Sequence, residues 1–463
     1  MHRGRRGCGR SNNLRMRRLN ESGEPCRPAT RPPPVKNEVM TSANWAGNYN
    51  YRAKRTRRPG TIAELQDIVG GATQIKALGS RHSFNDIADS AGDQVVLDAL
   101  PAEIEIDRDR NSVTVSGSAR YGDFAEQLHR AGYAIHNLAS LPHISVAGAV
   151  ATGSHGSGDH NGNLATAVCG LELVTGDGSI VSVKRGDAHF EGMVVALGAL
   201  GIVTRVSLDI QPTFQVRQDV YDGLGWSQLY DHFDAITSTA YSVSLFTNWG
   251  EAGVDQVWLK SRANVGAGAG STQAGEPEFF GATAAGEARH PLTGVSPVST
   301  TEQLGVPGPW WNRLAHFRLD FTPSHGEELQ TEYLVPRQNA IDAIDAIRGL
   351  AARIAPHLYV SEFRTMAADD LWLSPSYGRD SVGIHFTWKP EPDAVAAVLP
   401  VIDAALVPFD ARPHWGKLFE TDASRLDSRY PRLPDFRQLA DRLDPQGKFR
   451  NDYLERLVFS PRQ

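Results

Sequence analysis

Ser140-Leu141-Pro142-His143-Ile144-Ser145-Val146-Ala147-Gly148-Ala149-Val150-Ala151-Thr152-Gly153-Ser154-His155-Gly156-Ser157-Gly158 carries almost no large side chain along its whole length. A backbone that bare lets a ligand approach closely. Ile144, Val146 and Val150 are buried-type residues set among the small ones, which argues against a flexible linker. A second loop of this character lies upstream, where the strand Ile75-Lys76-Ala77-Leu78 runs into Gly79-Ser80-Arg81-His82-Ser83-Phe84. Small residues there can turn backbone N–H groups and hydroxyls onto an anion such as pyrophosphate. Taken alone, so short a motif reads equally as an ordinary strand-to-loop turn.

Around these loops, from Met40 to about residue 213, short β-rich runs alternate with helical patterns. Apolar residues Ile62, Leu65, Ile68 and Val69 at spacings of three and four predict a helix over Thr61 to Val69, with Pro59 and Gly60 just ahead. Gln94 to Leu97, Ile104 to Ile106 and Val113 to Val115 read as strands, and Phe124 to Gly132 as a helix. Leu171 to Val174 and Ile180 to Val183 flank Gly176-Asp177-Gly178, a hairpin signal. An apolar helix from residue 193 is expected to pass through Gly201 into the strand Ile202 to Ile210. Residues 214–420 differ in texture, with more Trp, longer loops and a Gly/Ala-rich stretch from Gly266 to Gly275 expected to be a mobile loop. Late strands alternate. Val360, Glu362, Arg364 and Met366 share one face against Ser361, Phe363 and Thr365, and His385 and Thr387 oppose Ile384, Phe386 and Trp388. After about residue 420 short helical segments return.

The 463 residues include 47 Lys or Arg and 53 Asp or Glu, but the charge is uneven. Residues 1–40 hold ten basic residues and three Glu, so the body carries 37 basic against 50 acidic residues, a net of −13. Such a surface repels phosphate backbones, so neither nucleic acid nor a membrane is expected as a partner. Residues 1–39 are rich in Arg, Ser, Asn and Pro and read as a disordered basic tail, with Met40 the expected start of translation. Three cysteines, Cys8, Cys26 and Cys169, give neither a disulfide framework nor a zinc site. The longest apolar run, Met193 to Val203, is short of the ~18 residues a bilayer needs. A cytoplasmic protein, monomeric and holding no metal, is the expectation.

Common catalytic signatures are missing. Gly416-Lys417 and Gly447-Lys448 are followed by Leu and Phe, so neither is a Walker A loop, and there is no His-Glu-x-x-His or Gly-x-Ser-x-Gly. Gly-x-Gly-x-x-Gly between a strand and a helix is also missing, against a Rossmann site.

Arg58-Pro59 with its helix, then Gly-Ser-Arg-His-Ser, then the Ser140–Gly158 stretch, together resemble the FAD-binding domain of vanillyl-alcohol-oxidase-type (VAO/PCMH) flavoproteins. Within these, the chain is similar to the branch of alditol oxidases and aldonolactone oxidases. The similarity continues through Tyr241 to Phe246, Val306 to Trp310, Glu362-Phe363-Arg364, His385-Phe386-Thr387-Trp388, His414-Trp415-Gly416-Lys417 and Asp444 to Phe449. It implies an α+β fold. The FAD-binding domain would span 40–213, completed by 421–463, and a second α+β substrate or cap domain would span 214–420.

The resemblance further implies FAD bonded covalently to His82. Other cofactor contacts would come from Leu78, Gly79, Ser80, Arg81, Ser83, Ser140, Ser145, Gly148, Thr152, Gly153, Ser154, His155 and Val203. His143 and His155 receive no part in proton transfer. Arg81 stands where some relatives have Gly. Glu362 and Arg364, at i and i+2 on one strand face, can grip vicinal hydroxyls. With Lys417 they form the expected catalytic set, and Ser140 and Thr387 complete the substrate contacts. His385 shares their polar face. The implied reaction moves a hydride from the terminal CH–OH of a polyol such as xylitol or sorbitol to the flavin, with O2 then giving H2O2. Lys417 acts either as general base or as a charged stabiliser beside Arg364. An aldonolactone oxidase or dehydrogenase is the alternative within this class. A non-catalytic binding protein using the basic tail is the alternative outside it.

Overall fold

The computed structural model describes residues 42–263, 275–321 and 328–459. The expected tail, with Met40, Cys8 and Cys26, and all of the Gly/Ala-rich stretch but Gly275 lie outside the described residues. The fold is α+β, as expected. Its first helix, Ile62–Gly71, begins one residue after Thr61 because the Thr61 hydroxyl accepts the Glu64 N–H as its cap. Leu65, Ile68 and Val69 pack with Ile75, Val95 and Phe449 over a three-stranded parallel sheet of Arg55–Arg57, Asp93–Val95 and Ile75–Ala77.

A five-stranded antiparallel sheet follows, ordered Ile104–Asp107, Ser112–Ser116, Ile202–Asp209, Val168–Val174 and Ile180–Lys184. The predicted hairpin pairs as read, with Gly178 at φ +84° closing its turn. The helix expected from Phe124 starts earlier, at Tyr121, since the Asp123 carboxylate accepts the Arg120 N–H. The long apolar helix expected from residue 193 does not form: the helix is Phe190–Val194, and Leu197 and Gly198 then take positive φ. That turn aims the Leu197 and Gly198 carbonyls at the buried Lys76 ammonium, 3.1 and 3.0 Å away. Burial pushes Lys76 down to about 7. Phe436, Leu439, Tyr453 and Leu454 pack into the same core as Val113, Phe124, Val150 and Val206, so the end of the chain closes the first half.

The middle of the chain builds a ten-stranded sheet. Its central order is Gln215–Gly225, Gly253–Ala263, Ser242–Thr247, Leu358–Met366, Ser381–Trp388 and Leu329–Pro336, each pair antiparallel. One face is apolar: Val243, Leu245, Phe363, Ile384, Phe386 and Tyr333 pack with the helices Trp226–Ser238, Ala340–Arg348 and Pro392–Leu406. Pro392–Phe409 has the length and composition to cross a membrane, with mean hydropathy 1.6. Here its Val395, Val398, Leu399, Ile402 and Leu406 are part of the core.

The opposite face is polar, and the Ser140–Gly158 stretch docks on it. Within that stretch Val146–Thr152 is a helix ended by Gly153 at φ +67°. Gly158 then crosses to the sheet, its N–H donating to Thr365 O at 2.8 Å. A Cβ there would lie 2.3 Å from Tyr241 O, and φ is +132°, so only glycine fits. The Ser157 hydroxyl and the Asn161 amide fasten the junction through Val243 O and Tyr241 O.

Candidate active site

Register on the polar face sets Glu332, His385 and Glu362 side by side on three adjacent strands. Arg364 follows two residues after Glu362, opposite Gly383. All are buried. Two polar strand faces were expected; the Glu332 strand makes a third, and Glu332 is the centre of the cluster. Lys417 Nζ donates to its Oε2 at 2.6 Å, and Arg364 Nη2 donates to its Oε1 at 2.8 Å. His155 Nε2 lies 3.3 Å from Oε1 without hydrogen-bond geometry. Burial by itself raises the Glu332 carboxyl, but Lys417, His155 and Arg364 together hold it well below the usual carboxylate range. His155, expected only beside the cofactor, thus also reaches the charged cluster.

Glu362 is held from the other side. The His316 ring meets its Oε1 through Nε2 at 2.8 Å, and Arg364 Nε stands 3.6 Å from its Oε2. Again burial raises the carboxyl and Arg364, His316 and His385 more than reverse it. Arg364 Nη1 donates to the Ser140 hydroxyl at 3.4 Å, joining the Ser140–Gly158 stretch to the strand. Ser140 O in turn accepts the N–H groups of His316 and Phe317. Thr387 lies on the same face, opposite Gln330 and Val360. Arg364 Nε and His155 Nε2 are buried without a hydrogen-bond partner, which leaves capacity for a substrate hydroxyl.

Lys417 is fixed by a turn. Its N–H donates to His414 O, Gly416 N–H donates to His414 Nδ1, and His414 N–H donates to Glu332 O. Asn85, just beyond His82, donates its amide to the carbonyls of Trp415 and Lys417 at 2.9 and 2.8 Å. Loop and lysine are therefore one hydrogen-bonded unit. Burial lowers the Lys417 ammonium below its ordinary range, with Glu332 opposing and Arg364 reinforcing. The ligand atoms of His155, Glu332 and His414 lie within 4.8 Å of one another. Both Glu332 oxygens in that group already accept hydrogen bonds from Lys417 and Arg364.

Burial also pushes His316 and His290 down to about 4. A solvated imidazole takes its proton near ~6.5, so between ~6.5 and ~4 the unfolded chain binds more protons than the fold. The stability these rings contribute is whole above ~6.5 and lost as pH falls toward ~4. The melting temperature should therefore decline across that window, and replacing His316 by Gln should flatten the decline.

The first loop suits the cofactor its sequence implies. His82 stacks on Trp45 at 5.1 Å, is pushed down to about 4 by burial, and keeps a buried Nδ1 with no partner. Its low proton affinity keeps the ring neutral, and one of its nitrogens is left unpartnered. Arg81 adopts φ +62°, a left-handed backbone that favours glycine, and its carbonyl accepts the Trp45 N–H. Ser80 and Ser145 join the two small-residue loops, with Ser145 N–H donating to Ser80 Oγ at 3.0 Å. A Cβ on Gly79 or Gly148 would stand 2.5 or 2.6 Å from Ser145 Oγ, so the two backbones meet closely there. Leu78 is buried behind the loop, its N–H donating to Val95 O, and Ser83 O accepts from Asn44. Thr152 Oγ1 donates to Gly148 O, and Ser154 N–H donates to Ala149 O. Val203 lines an apolar slot with Ala147, Val150 and Gly201. Orphaned nitrogen, hydroxyls and side-chain-free backbone fit a flavin dinucleotide.

Residues 53–184 match the FAD binding domain family, and residues 325–457 match the D-arabinono-1,4-lactone oxidase family. An alditol oxidase of Streptomyces sp. is 49% identical over 90% of this chain and 98% of its own length. The chain belongs to the alditol oxidase family. L-gulono-1,4-lactone dehydrogenase of Mycobacterium tuberculosis is a more distant relative, 28% identical over 90% of this chain and 98% of its own. Among solved structures, cholesterol oxidase from B. sterolicum shares the fold with a TM-score of 0.73 at 13% identity, covering 94% of this chain and all of that one. Family members share an FAD-dependent oxidoreductase framework, and FAD is the cofactor of this chain.

Sequence reading set Glu362 with Arg364 and His385 with Thr387 on polar strand faces and named Lys417 and Ser140 as further candidates, but it missed Glu332 and His316. A signal for Glu332 existed. In Leu329–Pro336, Gln330 and Glu332 alternate with Leu329, Thr331 and Tyr333, the same period that marked the two later strands.

Proposed function

We propose that this chain oxidises the terminal CH–OH of an alditol such as xylitol or sorbitol to the aldehyde, with O2 as final acceptor. The observation that carries this reading is the quartet of Glu332, Glu362, Arg364 and Lys417: two carboxylates and a guanidinium buried on one sheet face, with the turn-borne Lys417 ammonium set against them. Such a surface offers donors and acceptors to a neutral, hydroxyl-rich molecule, and the net −13 of the body suits a neutral substrate better than an anionic one. Residues 40–213 with 421–463 hold the cofactor, and 214–420 shape the substrate side.

When bound, FAD would supply the hydride acceptor and the route by which two electrons reach O2 to give H2O2. Glu362 accepts hydrogen bonds from substrate hydroxyls, Arg364 donates to them, and Ser140 and Thr387 fix the chain of the polyol. Lys417 takes the proton of the reacting hydroxyl at Nζ. Its lowered basicity brings the neutral amine within reach of ordinary pH, so the rate should rise with pH and level off above the Lys417 midpoint. Leu78 to Ser83 would hold the pyrophosphate of FAD, and Ser145, Gly148, Thr152 to His155 and Val203 would supply its remaining contacts.

His82 is the covalent anchor. Acid-precipitated wild-type protein should retain yellow fluorescence, whereas in His82→Ala the flavin should stay in the supernatant. The match of residues 325–457 to lactone oxidases supports a second reading, an aldonolactone substrate. Peroxide release over xylitol, sorbitol, mannitol and an aldonolactone separates the two. The first reading requires the highest kcat/KM on a polyol.

A further inference from the structure

Glu332 does more than balance charge. Its side chain is fully buried, and its two oxygens are divided between Lys417 at 2.6 Å and Arg364 at 2.8 Å. Its backbone carbonyl accepts the His414 N–H that starts the Lys417 turn, so one residue holds the lysine at both ends. The neighbouring strand makes room for it: a Cβ on Gly383 would stand 3.0 Å from Glu332 Oε1, tight enough to push the carboxylate aside. A carboxylate that only braced the fold would be expected to draw on backbone donors. This one's side-chain hydrogen bonds run to two groups of the proposed substrate site.

We propose that Glu332 is a positioning residue that fixes Lys417 and Arg364 and sets how readily Lys417 gives up its proton, an inference that rests on the reading of Lys417 as the base. The lysine is faced by Arg364 and Glu362 from one strand, His385 from the next, Glu332 and Glu328 from the third segment, and His414 from its own turn. His155 approaches the shared carboxylate from the docked stretch. Of these, Glu332 is the carboxylate in direct contact with Nζ. Removing its charge takes away the anion that favours the ammonium, so the midpoint of Lys417 must fall.

The test titrates the flavin-loaded holoenzyme by NMR with 13C at lysine Cε, using Lys417→Met to assign the resonance. Glu332→Gln should lower the Lys417 midpoint by at least one pH unit. Glu332→Asp, which keeps the charge one methylene further back, should lower it by less, and it serves as the test if the glutamine variant does not retain flavin. A midpoint unmoved in whichever variant folds would overturn the inference. The reading beneath it is tested separately: a rise of the flavin-reduction rate with pH that persists in Lys417→Met removes Lys417 as the base. The NMR midpoint still reports whether Glu332 governs the lysine.

Discussion

Replacing Lys417 with methionine is expected to slow reduction of the flavin by an alditol by about 10²–10⁴-fold, the range that loss of a general base produces. The substitution keeps the length of the side chain and leaves Glu332 paired with Arg364, so the fold and the bound FAD should survive. The signature lies in the pH profile. In the wild type the rate should rise with pH through a midpoint below the ordinary lysine value, because only the neutral amine can accept the hydroxyl proton. In Lys417→Met that limb should vanish. A wild-type rate flat between about pH 6 and 10 would instead mark a permanently charged lysine that stabilises the developing alkoxide. Stopped-flow reduction without oxygen measures both.

Arg364→Met should act on stability as well as rate. Arg364 contacts both Glu332 and Glu362 and is itself only 6% exposed, so its loss leaves two buried carboxylates with Lys417 as the remaining side-chain cation in contact with either. Breaking a buried ion pair from one side costs about 3–5 kcal/mol, far more than a surface pair. A clear fall in the thermal unfolding midpoint is expected together with loss of turnover. Arg364→Lys should recover part of the stability but less of the activity, since an ammonium lacks the planar fork that serves Glu332 and Ser140 together. The contrast between the two cations is the informative result. Lys417 should matter for rate with little effect on folding, Arg364 for both.

What the sequence made legible follows from the range over which its signals act. Local ones read well: the apolar spacing of the helix after Gly60, the Gly176-Asp177-Gly178 hairpin and the alternation that put Glu362 beside Arg364 on one face. The two small-residue loops could be found because a lack of side chains is itself a sequence feature. Glu332 was harder, since its partners Arg364 and Lys417 lie 32 and 85 residues away and a lone buried glutamate looks like any polar strand residue. His316 sits in an irregular segment between the short helical turn Trp310–Asn312 and the end of the second described stretch, where no periodicity exists to place it. The apolar run after Met193 misled for the opposite reason. Its composition suits a helix, but the buried Lys76 needs the carbonyls of a turn there, and that tertiary demand outweighs local propensity. Arg81 at φ +62° belongs to the same class, a local cost accepted where the loop carries His82.

Oxidation at the Glu332–Glu362–Arg364–Lys417 cluster is expected to take place at a terminal carbon of the polyol. Mixing the holoenzyme without oxygen with sorbitol deuterated at its terminal carbon, and separately at an interior carbon, tests it most directly. Sorbitol should bleach the flavin's visible absorbance, terminal deuterium should slow the bleaching several-fold, and interior deuterium should not. Bleaching by an aldonolactone alone, or slowing only by interior deuterium, would contradict it.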